Sequence, residues 1–286
     1  MSRVQIWLSK NIKLFLQNVC KNRILTDTIL ETKKYLDIIF IQELLWSTIW
    51  SISSSSSKEE EVAVGAPNHL NWIEFSRNSL NNHNYPRVIL YINICLIGLY
   101  FSFHKNIFDH RDICCFSFFN KNNILFLLNI YSDSNQSALK YLKNTEANIW
   151  NILVMTGDFN IRDSDWDSNF PFHLVYSDLL INIVDMFDLF FLNPINLVPT
   201  RYSDNCNNSN SVINLMFLRP NFVELNNYSI LLELWYLLDH ASLVVDIHIS
   251  KEFMQDERHI FIKNSKNKLR YISEFVENFK KIDTSS

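Results

Sequence analysis

Short apolar runs, each closed by a polar functional side chain, recur along this chain. Residues 12–16 run into Gln17-Asn18, and residues 36–41 end on Gln42-Glu43. Residues 124–130 end on Tyr131, and residues 152–155 exit into Gly157-Asp158-Phe159-Asn160. Apolar runs of this length, rich in Ile, Val, Leu and Phe, predict buried strands. Further strand signals lie at 87–94, 97–103, 113–118, 189–192, 198–202, 212–218, 228–234 and 242–248. Helical spacing is found at 26–35, at 136–150 with Ser134 as N-cap, and at 174–187. The carboxylate of Asp158 and the amide of Asn160, two positions apart after a strand, point the same way at the edge of a sheet. Polar groups gathered along one such edge are what an active site on a rigid scaffold requires.

Composition narrows the class. A chain of 286 residues with 48% apolar and 20% charged residues buries a large core. The sequence divides into a leader at 1–10, one domain at 11–249, and a tail at 250–286. Residues 51–61, a serine run followed by Lys58-Glu59-Glu60-Glu61, read as a mobile low-complexity loop. The tail carries Lys263, Lys266, Lys268 and Arg270 before apolar positions at one-face helical spacing, which predicts a basic amphipathic helix. The formal net charge of -4 provides no global positive field for nucleic acid, so DNA contacts would need a local basic stripe. Cys20, Cys95, Cys114, Cys115 and Cys206 are odd in number and include no Cys-x-x-Cys pair. They read as small buried thiols of a reducing compartment, not as a disulfide or zinc framework. No apolar stretch reads as a signal peptide, and 88–103 is short and interrupted for a membrane span. Only 3 Gly and 6 Pro are present, and Asn takes over turns.

The candidate chemistry is metal-assisted phosphodiester cleavage: Asp158 and Asn160 at a strand exit, with a distant Asp239-His240 pair. The ordered segments Gln17-Asn18-Val19, Ile41-Gln42-Glu43, Asn129-Ile130-Tyr131, Gly157-Asp158-Phe159-Asn160, Pro199-Thr200-Arg201-Tyr202, Asn210-Ser211-Val212-Ile213 and Asp239-His240 carry a resemblance. Together they resemble the endonuclease/exonuclease/phosphatase superfamily, and within it the endonuclease domain of non-LTR (LINE-type) retrotransposons. The resemblance implies an α/β (α+β) four-layer sandwich of two mostly antiparallel sheets flanked by helices. It implies that Glu43, Asn18 and Asp239 hold Mg²⁺, or Mn²⁺, a hard cation suited to oxygen ligands. It makes Asp158, Asn160, His240, Tyr131 and Asn214 the catalytic set, and Thr200, Arg201 and Ser211 substrate-binding. DNA is the implied partner, with no membrane and no stable protein partner, and a functional protein would need access to the nucleus. The chain ends before any reverse transcriptase, so it would nick DNA without copying into it.

Four positions depart from the family pattern. Asn214 stands where the family has the Asp that orients the catalytic histidine. Leu238 stands for Ser or Thr, Ser242 for Pro and Leu44 for Pro. A neutral amide cannot stabilise an imidazolium, so Asn214 implies impaired turnover. The alternatives are a vestigial or DNA-binding domain without turnover, or a phosphoesterase acting on another substrate. All four departures can each arise from one C-to-T change, which motivates the hypothesis of a decayed mobile-element copy. Sister loci lacking that transition bias would sink it.

Overall fold

The computed structural model describes residues 11–53, 60–76, 85–96, 101–103, 108–119, 124–145, 151–192, 198–203, 210–219, 223–231 and 239–249. In chain order the elements are β1 (Ile12–Asn18), α1 (Arg23–Thr32), β2 (Ile38–Gln42), β3 (Ser47–Ser53), β4 (Glu60–Gly65), β5 (Trp72–Phe75), β6 (Val88–Asn93), β7 (Phe101–Phe103), β8 (Ile113–Phe119), β9 (Ile124–Tyr131), α2 (Ser137–Lys143), β10 (Ile152–Asp158), α3 (Val175–Met186), β11 (Phe190–Phe191), β12 (Asn214–Leu218), β13 (Val223–Leu231) and β14 (Ser242–Ile249). One sheet runs β13-β14-β1-β2-β6-β5 and the other β11-β12-β10-β9-β8-β7. Only β1–β2 and β9–β10 pair in parallel; the other pairs among the described strands are antiparallel.

Strand parity builds the layers. Leu14 and Leu16 of β1, Ile38 and Phe40 of β2, and Leu127 of β9 join the core between the sheets. Their neighbours Phe15, Ile39 and Ile41 pack instead with Leu25, Ile29 and Leu30 of α1. Leu128 and Ile130 pack with Ala138 and Leu139 of α2 and Leu180 and Ile183 of α3. The order is therefore helix, sheet, sheet, helices, the four-layer α/β sandwich expected. Both faces of the central strands are covered, which is why they read as continuous apolar runs.

Local chemistry sets the helix starts. α1 begins at Arg23, three residues earlier than expected, because the Asn22 side chain accepts from Leu25 N–H at 3.0 Å. α2 is preceded by Asp133, not Ser134, as the polar anchor: its carboxylate accepts from Ser137 N–H at 3.2 Å, while Gln136 turns at φ 55°. The expected loop at 51–61 is partly strand. β3 and β4 form an antiparallel hairpin whose registered pairs include Ser51 with Val62 and Ser53 with Glu60. Its alternating Thr48, Trp50, Ile52, Val62 and Val64 favour strand more than the serines and glutamates oppose it. The expected strand at 198–202 is reduced to two isolated antiparallel bridges at Arg201, one to Ser211 and one to His240. Strand β5 had no clear signal in the sequence. The thiols divide: Cys114 and Cys115 are buried as expected, whereas Cys20 and Cys95 are exposed. The leader, the tail, Leu238 and Cys206 lie outside the described residues. Among the described residues no helix is long and apolar enough to cross a membrane.

Candidate active site

The parity that fills the core also delivers the site. Continue Leu14-Leu16 by two residues and Asn18 is reached; continue Ile38-Phe40 and Gln42 is reached. Leu127 leads by the same step to Asn129 and Tyr131, and Val154 to Thr156 and Asp158. Each fully buried Leu or Ile in the strand bodies contributes about 1.5–3 kcal/mol. The polar tips contribute none of that, and a buried polar group left unpaired costs about 1–3 kcal/mol. Most are accordingly bonded to one another; Thr156 donates instead to the Leu215 carbonyl, and Gln42, whose Nε2 donates to Asn129, keeps its Oε1 buried without a hydrogen-bond partner.

Asn18 is the central clamp. Its Nδ2 donates to Glu43 Oε2 at 3.0 Å and to Asp158 Oδ2 at 2.8 Å, while its Oδ1 accepts from Cys20 N–H at 2.9 Å. Tyr131 Oη donates to Glu43 Oε1 at 3.0 Å. Asn160 N–H donates to Asp158 Oδ1 at 3.1 Å, and its Nδ2 to the Ser132 carbonyl at 2.9 Å. Four residues just beyond strand exits have left-handed backbones: Cys20 (φ 45°), Lys21 (φ 58°), Glu43 (φ 50°) and Asn160 (φ 51°). Such a conformation costs about 1–2 kcal/mol in a residue with a Cβ. Concentrated here, it is strain held where side chains must be aimed.

His240 closes the network. Its Nδ1 lies 3.4 Å from Asn214 Oδ1 and 3.9 Å from Asp158 Oδ2, and its Nε2 lies 3.6 Å from Asp239 Oδ1. Asn214 Nδ2 donates to the Ala241 carbonyl at 3.3 Å. A carbonyl only accepts, so the amide oxygen is the end that faces the ring. Asn214 therefore presents an acceptor to His240, as an aspartate would, but without its charge. Asp158 and Asn214 are paired in register between β10 and β12.

Thr200, Arg201 and Ser211 frame this corner. Thr200 is fully buried, and its Oγ1 accepts from Ile213 N–H and Asn214 N–H, both at 2.9 Å. Its carbonyl accepts from Ala241 N–H at 2.8 Å, and its N–H donates to the Ser211 carbonyl at 3.0 Å. It thus pins the backbones that carry Asn214 and His240. Ser211 is also buried, and its N–H donates to the Arg201 carbonyl at 2.9 Å. Arg201 is exposed, and its Nε donates to Asp239 Oδ2 at 3.0 Å. Gln17 Nε2 donates to the His240 carbonyl at 3.1 Å, and Gln17 Oε1 accepts from Ser242. Ser242, one of the departures from the family pattern, is thereby tied into the frame.

The two acidic groups are pushed apart. Burial lifts the Asp158 carboxyl above the ordinary carboxylate range, against the lowering effect of His240 and Asn18. Burial also acts upward on Asp239, but His240, Arg201 and Cys20 outweigh it and hold this carboxyl below the ordinary range. Desolvation, then Glu43 and Asp158, raise Tyr131 far above a free phenol, so it acts as an O–H donor. Paired carboxylates with opposite displacements are the usual sign of divided acid–base roles.

Two contributors were not singled out in the sequence. Arg87 pairs through Nε and Nη2 with buried Asp112, reaches Asp133 at 3.0 Å, and sits 4.6 Å over the Tyr131 ring. It sets the attitude of Tyr131. Cys20 Sγ donates to Asp239 Oδ1 at 3.4 Å. Its place directly after Asn18-Val19 was the available signal. The Gly157 requirement is also clearer: a Cβ there would stand 1.8 Å from the Ile130 carbonyl oxygen of the parallel neighbour β9. Gly157 lies within a strand, so close backbone approach, not turn freedom, demands it.

The donor set suits a hard cation. The Glu43 carboxylate receives bonds from neutral Tyr131 and Asn18, and has no cationic partner among the described residues. It shares the Asn18 amide with a second carboxylate, Asp158. Oxygen donors with uncompensated negative charge fit Mg²⁺. Asn18 turns its NH₂ toward both carboxylates, so here it acts as their clamp, and coordination through its oxygen would require the amide to turn over.

A family model described as "Endonuclease-reverse transcriptase" matches residues 113–244, which include Tyr131, Asp158, Asn160, Asn214 and His240. The endonuclease domain of TRAS1, a telomere-specific non-LTR retrotransposon, superposes with a TM-score of 0.60 at 14% identity, covering 84% of this chain and 99% of that one. An endonuclease/exonuclease/phosphatase family protein from Leptotrichia buccalis gives 0.50 at 13% identity, covering 82% and 99%. This is the endonuclease/exonuclease/phosphatase fold. The chain resembles that superfamily, and the retrotransposon endonuclease domain within it, in architecture and in ordered motifs. Sequence comparison with curated proteins gave no match. As in other sandwiches with the endonuclease/exonuclease/phosphatase fold, function must be argued from the site and not from the architecture.

Proposed function

We propose that the chain is a divalent-cation-dependent phosphodiesterase that nicks DNA, with turnover lowered by Asn214. The observation that carries this reading is the hydrogen-bonded network joining Asn18, Glu43, Tyr131 and Asp158 at one edge of the sandwich, with His240 Nδ1 3.9 Å from Asp158 Oδ2. The likeness to a retrotransposon endonuclease domain supports DNA as the substrate, and a protein acting so would need access to nuclear DNA.

Glu43 would hold Mg²⁺, with Asp239 the further oxygen ligand that the resemblance implies. When bound, the cation polarises the scissile phosphate and offsets charge on the leaving oxygen. Asp158, as a carboxylate, orients the attacking water and takes its proton. Its raised carboxyl makes it a better base than an ordinary aspartate. Asn160 donates to a phosphate oxygen, and the Tyr131 hydroxyl, which donates to Glu43 in this structure, would turn to do so. His240 stabilises the negative charge that develops on them, with its ring fixed through Nδ1 by Asn214.

The experiment is nicking of supercoiled plasmid with Mg²⁺, run with wild type, Asp158→Ala and Asn214→Asp. Wild type should exceed Asp158→Ala, and Asn214→Asp should exceed wild type. One observation favours a second reading, a DNA-binding domain without turnover: the partner of His240 is a neutral amide. Equal background nicking by all three proteins, with DNA binding retained, would establish that reading instead.

A further inference from the structure

Cys20, Asp239 and His240 bring a sulfur, a carboxylate oxygen and an imidazole nitrogen within 4.8 Å of one another. We propose that these three side chains form a site for a thiophilic divalent cation, of which Zn²⁺ is the type, which shares Asp239 with the hard-cation set around Glu43 and differs from it by its sulfur and nitrogen ligands. The inference goes beyond the nuclease reading and does not depend on DNA being cut.

Tetrahedral zinc with a Zn–S bond of about 2.3 Å and Zn–N or Zn–O bonds of about 2.0–2.2 Å holds its ligand atoms roughly 3.3–3.6 Å apart. Cys20 Sγ stands 3.4 Å from Asp239 Oδ1, and His240 Nε2 stands 3.6 Å from the same oxygen. Two edges of the tetrahedron are already at length before any ion arrives.

Each ligand is also held from behind. Asp239 gives its other oxygen, Oδ2, to Arg201 at 3.0 Å, which leaves Oδ1 facing the cluster. His240 directs Nδ1 at Asn214 Oδ1, so in the neutral ring the lone pair is on Nε2, the nitrogen nearer Asp239. Cys20 is fixed through its N–H to Asn18 Oδ1. Partners of this kind set tautomer and orientation in metal sites. Three protein ligands, one on an exposed residue, leave the fourth position to water, the arrangement of an open zinc site.

Ligand softness separates the two cations. Thiolate selects Zn²⁺, Co²⁺ and Cd²⁺, and Mg²⁺ avoids it. On binding, the Cys20 S–H bond breaks, a sulfur–metal bond forms, and the proton leaves to solvent. Asp239 and His240 contribute lone pairs without losing a proton. An ion there occupies His240 Nε2 and so removes that nitrogen from any contact with phosphate.

The test uses the full chain, Co²⁺ as probe and no DNA. Wild type should develop a near-ultraviolet thiolate-to-cobalt charge-transfer band that saturates at a single equivalent. Zn²⁺ should displace it, and excess Mg²⁺ should not. Cys20→Ser should lose the band while keeping the far-ultraviolet circular dichroism of wild type. His240→Ala should keep a sulfur band but require at least about tenfold more cobalt. No band in wild type, a band surviving Cys20→Ser, or unchanged affinity in His240→Ala would each overturn the proposal.

Discussion

Asn214 offers its amide oxygen to His240 Nδ1 at 3.4 Å because the other end of the amide is committed to the Ala241 carbonyl. The substitution therefore retains the geometry that fixes the ring tautomer and removes only the charge. Asp158 Oδ2, 3.9 Å from the same nitrogen, supplies part of the negative potential that the amide lacks.

Asn214→Asp should accordingly raise single-turnover nicking by about 10²-fold, on the analogy of an aspartate oriented against a catalytic histidine. DNA affinity should be little changed, since no phosphate contact is added. The same change sets a second buried carboxylate opposite Asp158 in register, so melting temperature should fall. An unchanged single-turnover rate would refute the role given to the missing charge.

Asp158→Ala should lower the nicking rate by about 10²–10⁴-fold, the usual worth of a positioned general base. In wild type the rate should climb with pH through the Asp158 titration, which burial places above the ordinary carboxylate range. The sign follows from the base having to be ionised. A rate that is already flat with pH across the ordinary carboxylate range would count against Asp158 as the base.

Tyr131→Phe removes the bond to Glu43 Oε1 while leaving Arg87 over the ring. A donor aimed only at a transition-state oxyanion is worth about 10²–10³-fold; the Tyr131 proton is held by Glu43 in this structure, so its loss should cost less, roughly 10–10²-fold. The Mg²⁺ dependence should shift to higher concentration, because Glu43 loses one of its two fixed donors. A kcat loss without any such shift would locate Tyr131 on the phosphate alone.

Gly157→Ala should be among the most damaging changes of a single methyl group. The added carbon would lie 1.8 Å from the Ile130 carbonyl oxygen and 2.7 Å from its carbon, both backbone atoms. Overpacking against backbone costs about 1–3 kcal/mol and at times more, so urea denaturation should show a loss at or above the top of that range. Retained stability would mean that β9 and β10 can separate without penalty.

His173 lies between two acids, with Nδ1 2.9 Å from Asp163 and Nε2 2.8 Å from Asp178. Hydrogen bonds to Asp178 first and then Asp163 raise its titration above the usual 6.5. The folded value exceeds the unfolded one, so the stabilisation is fully present below about pH 6.5. It is lost as pH rises through the folded value. Thermal melts of wild type should weaken across that window, and His173→Gln should remove the pH dependence there.

Much of the site was legible because strand parity is a strict period of two, and each apolar run stopped on a chemically distinctive residue. Asn18, Tyr131 and Asp158 stand at strand ends that this period reaches, whereas Glu43 lies one residue beyond its strand and is aimed by a left-handed backbone. Thr200 did not yield to it: its hydroxyl is consumed by the Ile213 and Asn214 amides, a pairing across the fold that no local pattern encodes. Cys20 read as one more small buried thiol, because its nearness to Asp239 joins residues 219 apart in sequence. The β3–β4 hairpin was hidden by serines and glutamates, whose composition mimics a loop while the interleaved Val, Ile and Trp favour a strand.

The Asn129 side chain reaches from β9 to donate to the Ile41 and Ile89 carbonyls of the facing sheet, at 3.0 and 2.9 Å, and accepts from Gln42. Asn18 and Glu43 belong to one sheet and Tyr131, Asp158 and Asn214 to the other. Neither sheet owns a complete set of working groups, so cleavage would be a property of their docking, and this rivet stands beside the seam. Weakening it, as in Asn129→Leu, should let the halves drift before either unravels, and chemistry would then fail earlier than secondary structure does.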